Sequence, residues 1–344
     1  MPSPLPASAT PSPGTAAPAS SSPGSPRGTG GDAAAERSAG LLFGLGAYGL
    51  WGLLPLYFLT IATASPAEIV ANRVLWSLVF CALLLTLTRA WADLGVLLRD
   101  KASMLRLSAA AVLIAVNWLT YTFAVLGGHA VEASLGYFIT PLVSTALGVV
   151  LLKERLNRLQ WTAMGFGLAA VLVLTFAYGS VPVIALVLAF SFGLYGFVKN
   201  RVGRTASAVT GLTVETLVLT LPALGFMAFL LAQGGATLVS TGPAHFWLMA
   251  ASGIITAVPL LFFGAAARRL PLTLIGTLQY LAPVLQFILA LTVFGEHMPL
   301  ERWIGFGLVW VAIVLLTADL ARRAGSGRAE RRAARKLAAP APQA

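Results

Sequence analysis

Two ionisable side chains, Arg73 and Glu215, stand inside long apolar stretches of this chain. A charge is costly in hydrocarbon, so one that is kept there either faces a wet interior or finds a partner. Arg73 follows Asn72 near the start of the stretch 68–88, and Glu215 falls early in the stretch 209–232. Two readings are open for the pair. They line a central cavity, where they bind polar parts of a substrate or form a gated ion pair. Alternatively, Arg73 snorkels to the headgroups and Glu215 satisfies donors on a neighbour. Asn117, Trp118, Tyr121, Tyr137, Gln279 and Tyr280 lie in or near other apolar stretches and are candidates for the same cavity, with Gln286 beside them.

Three further acids sit at the ends of such stretches. Glu132 opens one, where a carboxylate favours the positive end of the helix dipole. Glu154 and Glu296 close theirs, where a carboxylate opposes the dipole, so local helix electrostatics do not explain them. All three are read as structural, the last two as capping or interface residues compensated by Lys153, Arg155 and Arg302. Pro141, Pro259 and Pro283 each fall inside a stretch; a proline there frees a carbonyl and permits a kink, so all three are candidate hinges or static bends.

No set of side chains suits catalysis. His129, His245 and His297 are too far apart to form a helical metal pair, Cys81 has no evident base, and no phosphate-binding glycine loop is present. The residues therefore point to no enzyme chemistry, no metal or cofactor and no direct use of ATP. What remains is binding and release of a small molecule.

The elements that carry these residues are membrane helices. Of 344 residues, 58% are apolar and only 10% charged, against roughly a quarter charged in a soluble domain. Mean hydropathy is +0.84. Forty residues without Asp, Glu, Lys or Arg separate Arg158 from Lys199, and 52 separate Glu215 from Arg268. A helix needs roughly 20 residues to cross a bilayer, so each run holds two. The parse gives ten spans: 40–60, 68–88, 104–126, 131–152, 159–177, 181–198, 209–232, 245–267, 272–294 and 302–320. Residues 1–38 are a low-complexity tail rich in Pro, Ser, Ala and Gly, expected to be disordered. With no apolar h-region it is not read as a signal peptide, and the first helix is expected to act as an uncleaved anchor. Residues 322–344 form a basic tail, also expected to be disordered.

The net charge of +11 fits topology, not nucleic acid. With the N-terminus in the cytoplasm, every Lys and Arg falls on the cytoplasmic side except Arg302, outside, and Arg73, within a span. Both ends then lie inside.

The chain also repeats. At an offset of 142, Pro141, Glu154, Trp161, Gly165, Ala170 and Thr175 recur as Pro283, Glu296, Trp303, Gly307, Ala312 and Thr317. Gly49 and Gly52 recur as Gly193 and Gly196 at an offset of 144. The units are 39–177 and 178–321. Each holds five spans, an odd number, so the second enters the membrane from the opposite side. The expected fold is all-α: ten transmembrane helices as two inverted five-helix repeats, an architecture that many secondary transporters use for alternating access. A non-transporting membrane scaffold or sensor is the competing reading.

The stretch from Glu132 through Tyr137 and Pro141 to Leu142, then Glu154-Arg155 and Trp161, resembles the RarD branch of the EamA family, in the drug/metabolite transporter superfamily. Asn72-Arg73-Val74-Leu75-Trp76-Ser77, Asn117-Trp118, Ala189 to Gly196, Glu215-Thr216-Leu217 and Gln279-Tyr280-Leu281-Ala282-Pro283 carry the same resemblance, which spans about residues 39 to 320. It implies ten helices around a central cavity and a permease that exports or exchanges small metabolites or drugs. Some relatives carry amino acids, and the branch is commonly labelled chloramphenicol-sensitive. It places the chain in the bacterial inner membrane, with lipid and a small-molecule substrate as partners. Substrate, coupling ion and oligomeric state are left open; proton coupling would favour Glu215 as carrier.

Reporter fusions test the topology. Alkaline phosphatase fused after Lys199 should be inactive, and fused at Pro243 should be active. The reverse pattern at either site would overturn the ten-span parse.

Overall fold

The computed structural model describes residues 30–153, 155–178, 181–202, 207–270, 274–275 and 278–337. The described residues form helices and connections, with no strand among them. In chain order the helices are α1 (Gly30–Thr60), α2 (Pro66–Thr88), α3 (Trp91–Arg99), α4 (Lys101–Leu126), α5 (Ala130–Leu152), α6 (Arg158–Tyr178), α7 (Val183–Val202), α8 (Ala208–Ala232), α9 (Thr237–Ser240), α10 (Pro243–Arg269), α11 (Leu281–Thr292) and α12 (Leu300–Leu337). Eight of them are long and apolar enough to cross a membrane: α1, α2, α4, α5, α6, α8, α10 and the first part of α12. Val183–Lys199 and Leu281–Thr292 are shorter apolar segments.

The surface is inside out by the standard of a soluble protein. Phe176 is 81% exposed, Leu221 78% and Leu105 74%, while Arg73, Glu215, Glu68 and Asn117 are buried. Apolar exposure on this scale is stable only against lipid.

Helix packing closes a ring. Going round it, α1 packs on α10, α10 on α2, α2 on α8, α8 on α4, α4 on α7, α7 on α5, α5 on α11, and α11 on α1. The pair α6–α12 packs together outside the ring, against α5. Helices from before and after residue 180 alternate around it, so every ring helix is flanked by two from the other half. Close approach is built in with glycine. A Cβ at Gly253 of α10 would collide with the Trp76 carbonyl oxygen of α2, and one at Gly136 of α5 would lie 2.8 Å from that of Ala185 on α7.

Local sequence sets the helix limits. Ser65 caps α2 by accepting from the Glu68 amide, with Pro66 at the first helical position. Arg89 and Lys153 end α2 and α5 in the left-handed region, at φ 54° and 56°. Pro141 and Pro259 lie inside α5 and α10.

Several expectations need revision. The first helix reaches back to Gly30, into the stretch read as tail, where Glu36 pairs with Arg269 at 2.9 Å; residues 1–29 lie outside the described ones. The last helix runs to Leu337 because the tail is rich in Ala and Arg, strong helix formers. The connection after span two contains a helix, α3, that the hydropathy reading passed over. Span 272–294 is not one described helix. Gln279 and Tyr280 form a turn, and α11 begins at Leu281. Pro283 is therefore in the first turn of α11, where its missing N–H would be an orphan anyway.

Gly253→Ala should lower stability by about 1–3 kcal/mol, because the added methyl meets backbone. Gly49→Ala, with open space around it, should be neutral or slightly stabilising. Thermal unfolding of both variants in detergent decides this; equal midpoints would refute the close α2–α10 contact.

Candidate functional site

Arg73 is the eighth residue of α2, and 4% exposed. Its Nε donates to Thr256 Oγ1 of α10 at 3.2 Å. Its guanidinium carbon lies 4.6 Å from the ring centre of Trp118 on α4 and 5.7 Å from that of Phe58 on α1. Buried Nη1 has no hydrogen-bond partner. No carboxylate pairs with Arg73 among the described residues. A desolvated cation–π contact is worth about 2 kcal/mol, far less than the cost of burying an uncompensated charge.

Aromatic and amide groups extend this cage. Tyr121 packs edge-on against Tyr137, ring centres 5.5 Å apart, and against Phe58 at 6.0 Å. Tyr137 Oη donates to Asn117 Oδ1 at 2.9 Å, while Asn117 Nδ2 donates to Ser191 Oγ and the Leu188 carbonyl of α7. Tyr121 Oη is buried without a partner. Five of the sequence-chosen residues thus meet: Arg73, Asn117, Trp118, Tyr121 and Tyr137. Among the described residues these polar contacts do not extend to Gln279, which is exposed, or to Tyr280, which packs against the apolar core. Gln286 ties α11 to α1 through the Trp51 carbonyl.

Glu215 is elsewhere. Its carboxylate pairs with Lys199 Nζ of α7 at 2.6 Å and accepts from Tyr195 Oη at 3.2 Å. A Cβ at Gly211 would lie 3.1 Å from that Nζ, so the glycine leaves room for the lysine. The ion pair between Arg73 and Glu215 does not form, and the reason is depth. Each is the eighth residue of its helix, but α2 and α8 start at opposite ends of the bundle. At about 1.5 Å rise per residue each lies roughly 12 Å in from its own end.

The acids read as structural act across helices. Glu296 Oε1 and Oε2 accept the amides of Ala130 and Val131, the first two of α5. The dipole objection disappears, because the carboxylate serves the N-terminus of another helix. Glu132, in the first turn of α5, accepts from the Ile184 and Ala185 amides that open α7. Glu68 does the same for α9, accepting from Thr237 Oγ1 and the Leu238 amide. His245 bonds to Thr237 and Thr63 at the same end. Glu154 lies outside the described residues. An open cleft of about 650 Å³, lined by Gly128, Phe294 to Pro299 and Arg302, also lies at this end and is separate from the cage.

Comparison with known proteins turns this geometry into a family. The EamA-like transporter family matches twice, over residues 38–176 and 180–318. The chain belongs to that family. Protein RarD of Streptomyces exfoliatus is 49% identical over 308 residues, covering 89% of this chain and 97% of its own. Protein RarD of Escherichia coli K12 is 40% identical over 287, covering 83% and 96%. A protein of known crystal structure shares the fold with a TM-score of 0.56 at 22% identity, covering 83% of this chain and 99% of its own. The chain is thus a RarD-like EamA protein, a multi-pass membrane transporter and not an enzyme.

Within the EamA halves, sequence reasoning missed Phe58, Glu68, Thr256 and Lys199 as site residues. Phe58 and Thr256 look like any residue of an apolar span. Lys199 was absorbed into the cytoplasmic charge tally, although it stands 16 residues before Glu215 across one short connection, a spacing that offers an ion pair.

Glu296→Ala should destabilise by about 0.5–2 kcal/mol, as loss of a cap does, and should speed hydrogen exchange at the start of α5 but not in α8. Unchanged exchange at Ala130 and Val131 would rule out the cap.

Proposed function

We propose that this protein is a secondary transporter of small metabolites or drugs. It works by alternating access between two inverted five-helix halves and lies in the inner membrane with both ends cytoplasmic. The observation that carries this reading is the ring. The repeat relates α1 to α7, α2 to α8, α4 to α10, α5 to α11 and α6 to α12. Exchanging each helix of the ring for its mate returns the same ring read in the opposite sense. That is the behaviour of a two-fold axis lying in the membrane plane. Arg73 and Glu215 obey it too, at equal depths from opposite ends. The family match to each half supports the duplication.

Two interleaved halves can rock against each other about a polar cage at their contact. The cage draws Phe58, Arg73, Trp118 and Tyr137 from the first half and Ser191 and Thr256 from the second, so relative motion of the halves reshapes it directly. The basic residues on the connections at the α2–α4 and α7–α8 end hold that end in the cytoplasm.

Purified protein in proteoliposomes should move at least one member of a metabolite and drug panel down its gradient. Adding a pH gradient should alter the rate if protons are coupled. Absence of flux for every solute, in protein shown to be folded, would favour the scaffold or sensor.

A further inference from the structure

The cage around Arg73 is built for one negative charge. Its guanidinium has five N–H donors in a planar fork. In this structure Nε bonds to Thr256, the face lies over Trp118, and Nη1 is buried with no acceptor. Tyr121 Oη, also buried and unpartnered, belongs to the same cage. A donor on the cation and a hydroxyl with no mate are what a planar two-oxygen acceptor would complete.

Charge narrows the class. Lys199, partly exposed, is already paired with Glu215, so Arg73 supplies a single uncompensated positive charge. A dianion would bring one charge too many into a site of low dielectric. A ligand ammonium would find no carboxylate in the cage, since Glu68, Glu132 and Glu296 are committed to helix N-termini. The walls are rings, Phe58, Trp118, Tyr121 and Tyr137, which favour a flat apolar body.

We infer that Arg73, with Tyr121, binds the carboxylate of a planar, apolar monocarboxylate that carries no cationic group. In the structure described here Trp118 holds the guanidinium in the ligand's stead, and the carboxylate takes over that role when it binds. The inference rests on the transporter reading, whose substrate class it names.

Benzoate, benzamide and benzamidinium share one shape and differ in charge, so they serve as probes with the purified full-length protein. Binding is followed by ligand-induced thermal stabilisation and by titration. Benzoate should bind about ten-fold tighter than either of the others. Arg73→Gln should remove that preference, and Arg73→Lys should keep part of it. Tyr121→Phe should weaken benzoate several-fold and leave benzamide unchanged; it stands in should Arg73→Gln fail to give folded protein. Equal or tighter binding of benzamide or benzamidinium, failure of benzoate to bind, or a preference untouched by both substitutions would overturn the inference. Flux of neutral solutes without any benzoate preference would sink it while leaving the transporter reading intact. Benzoate binding without flux of any solute would do the reverse.

Discussion

Hydrocarbon forms no hydrogen bonds, and most of what is distinctive in this chain answers to that constraint. Backbone in lipid must close its bonds within the segment, which leaves helices. A helix still has four amides at its start with no partner. At one end of this bundle, where α5, α7 and α9 begin, the missing acceptors are carboxylates sent from other helices or connections: Glu296 to α5, Glu132 to α7 and Glu68 to α9. A carboxylate is the best acceptor for this position, because its bonds are charge-assisted and its charge meets the positive end of the dipole. The same constraint makes two cations notable, the buried Arg73 and the half-buried Lys199. One follows the rule of pairing and the other does not.

Lys199 and Arg73 show the two ways a membrane bundle can keep a cation. Lys199 has a carboxylate at 2.6 Å, which itself accepts from the Tyr195 phenol, so its charge is compensated. Arg73 has a threonine hydroxyl and two ring faces. Those contacts hold it in place without cancelling its charge. A purely structural role would be served better by an apolar side chain of similar volume, since replacing buried charge with packed hydrophobes is often neutral or stabilising. In the proposed cycle, the position of Arg73 at the contact of both halves gives that cost a use.

The sequence made the membrane character and eight long apolar spans legible because those follow from composition and from charge-free runs, which are local. It made the duplication legible because Pro, Glu and Trp recur in one order. It brought five cage residues forward because a polar group in an apolar span is conspicuous by itself. What it could not display were partners. The acceptor for Ala130 is 166 residues away, and nothing near Glu296 signals that it serves another helix. The dipole argument failed there because it considered only the helix to which the acid is attached. The partner of Lys199 went unread for a related reason: a basic residue at a span boundary satisfies the topology rule equally well whether it faces water or a buried carboxylate. Gln279 and Pro283 were placed mid-span because hydropathy does not register a turn made by apolar neighbours.

The three carboxylate caps also share a direction that no one of them reveals. Glu296 belongs to the second half and holds a helix of the first. Glu132 and Glu68 belong to the first half and hold helices of the second. Each cap therefore ties one half to the other at the same end of the bundle. For the halves to separate there, as the proposed cycle requires, all three must let go. Their gross strength would forbid it, but opening admits water, which supplies acceptors for the same amides, so only the net value counts. At about 0.5–2 kcal/mol per cap, the three together oppose opening by roughly 1.5–6 kcal/mol. A ligand needs about 5.5 kcal/mol of differential affinity to carry a two-state protein from almost wholly one state to almost wholly the other. The caps thus fall in the range that keeps one end shut without locking it, and a single charge-assisted contact in the cage, worth about 1.5–3 kcal/mol, offsets part of that resistance.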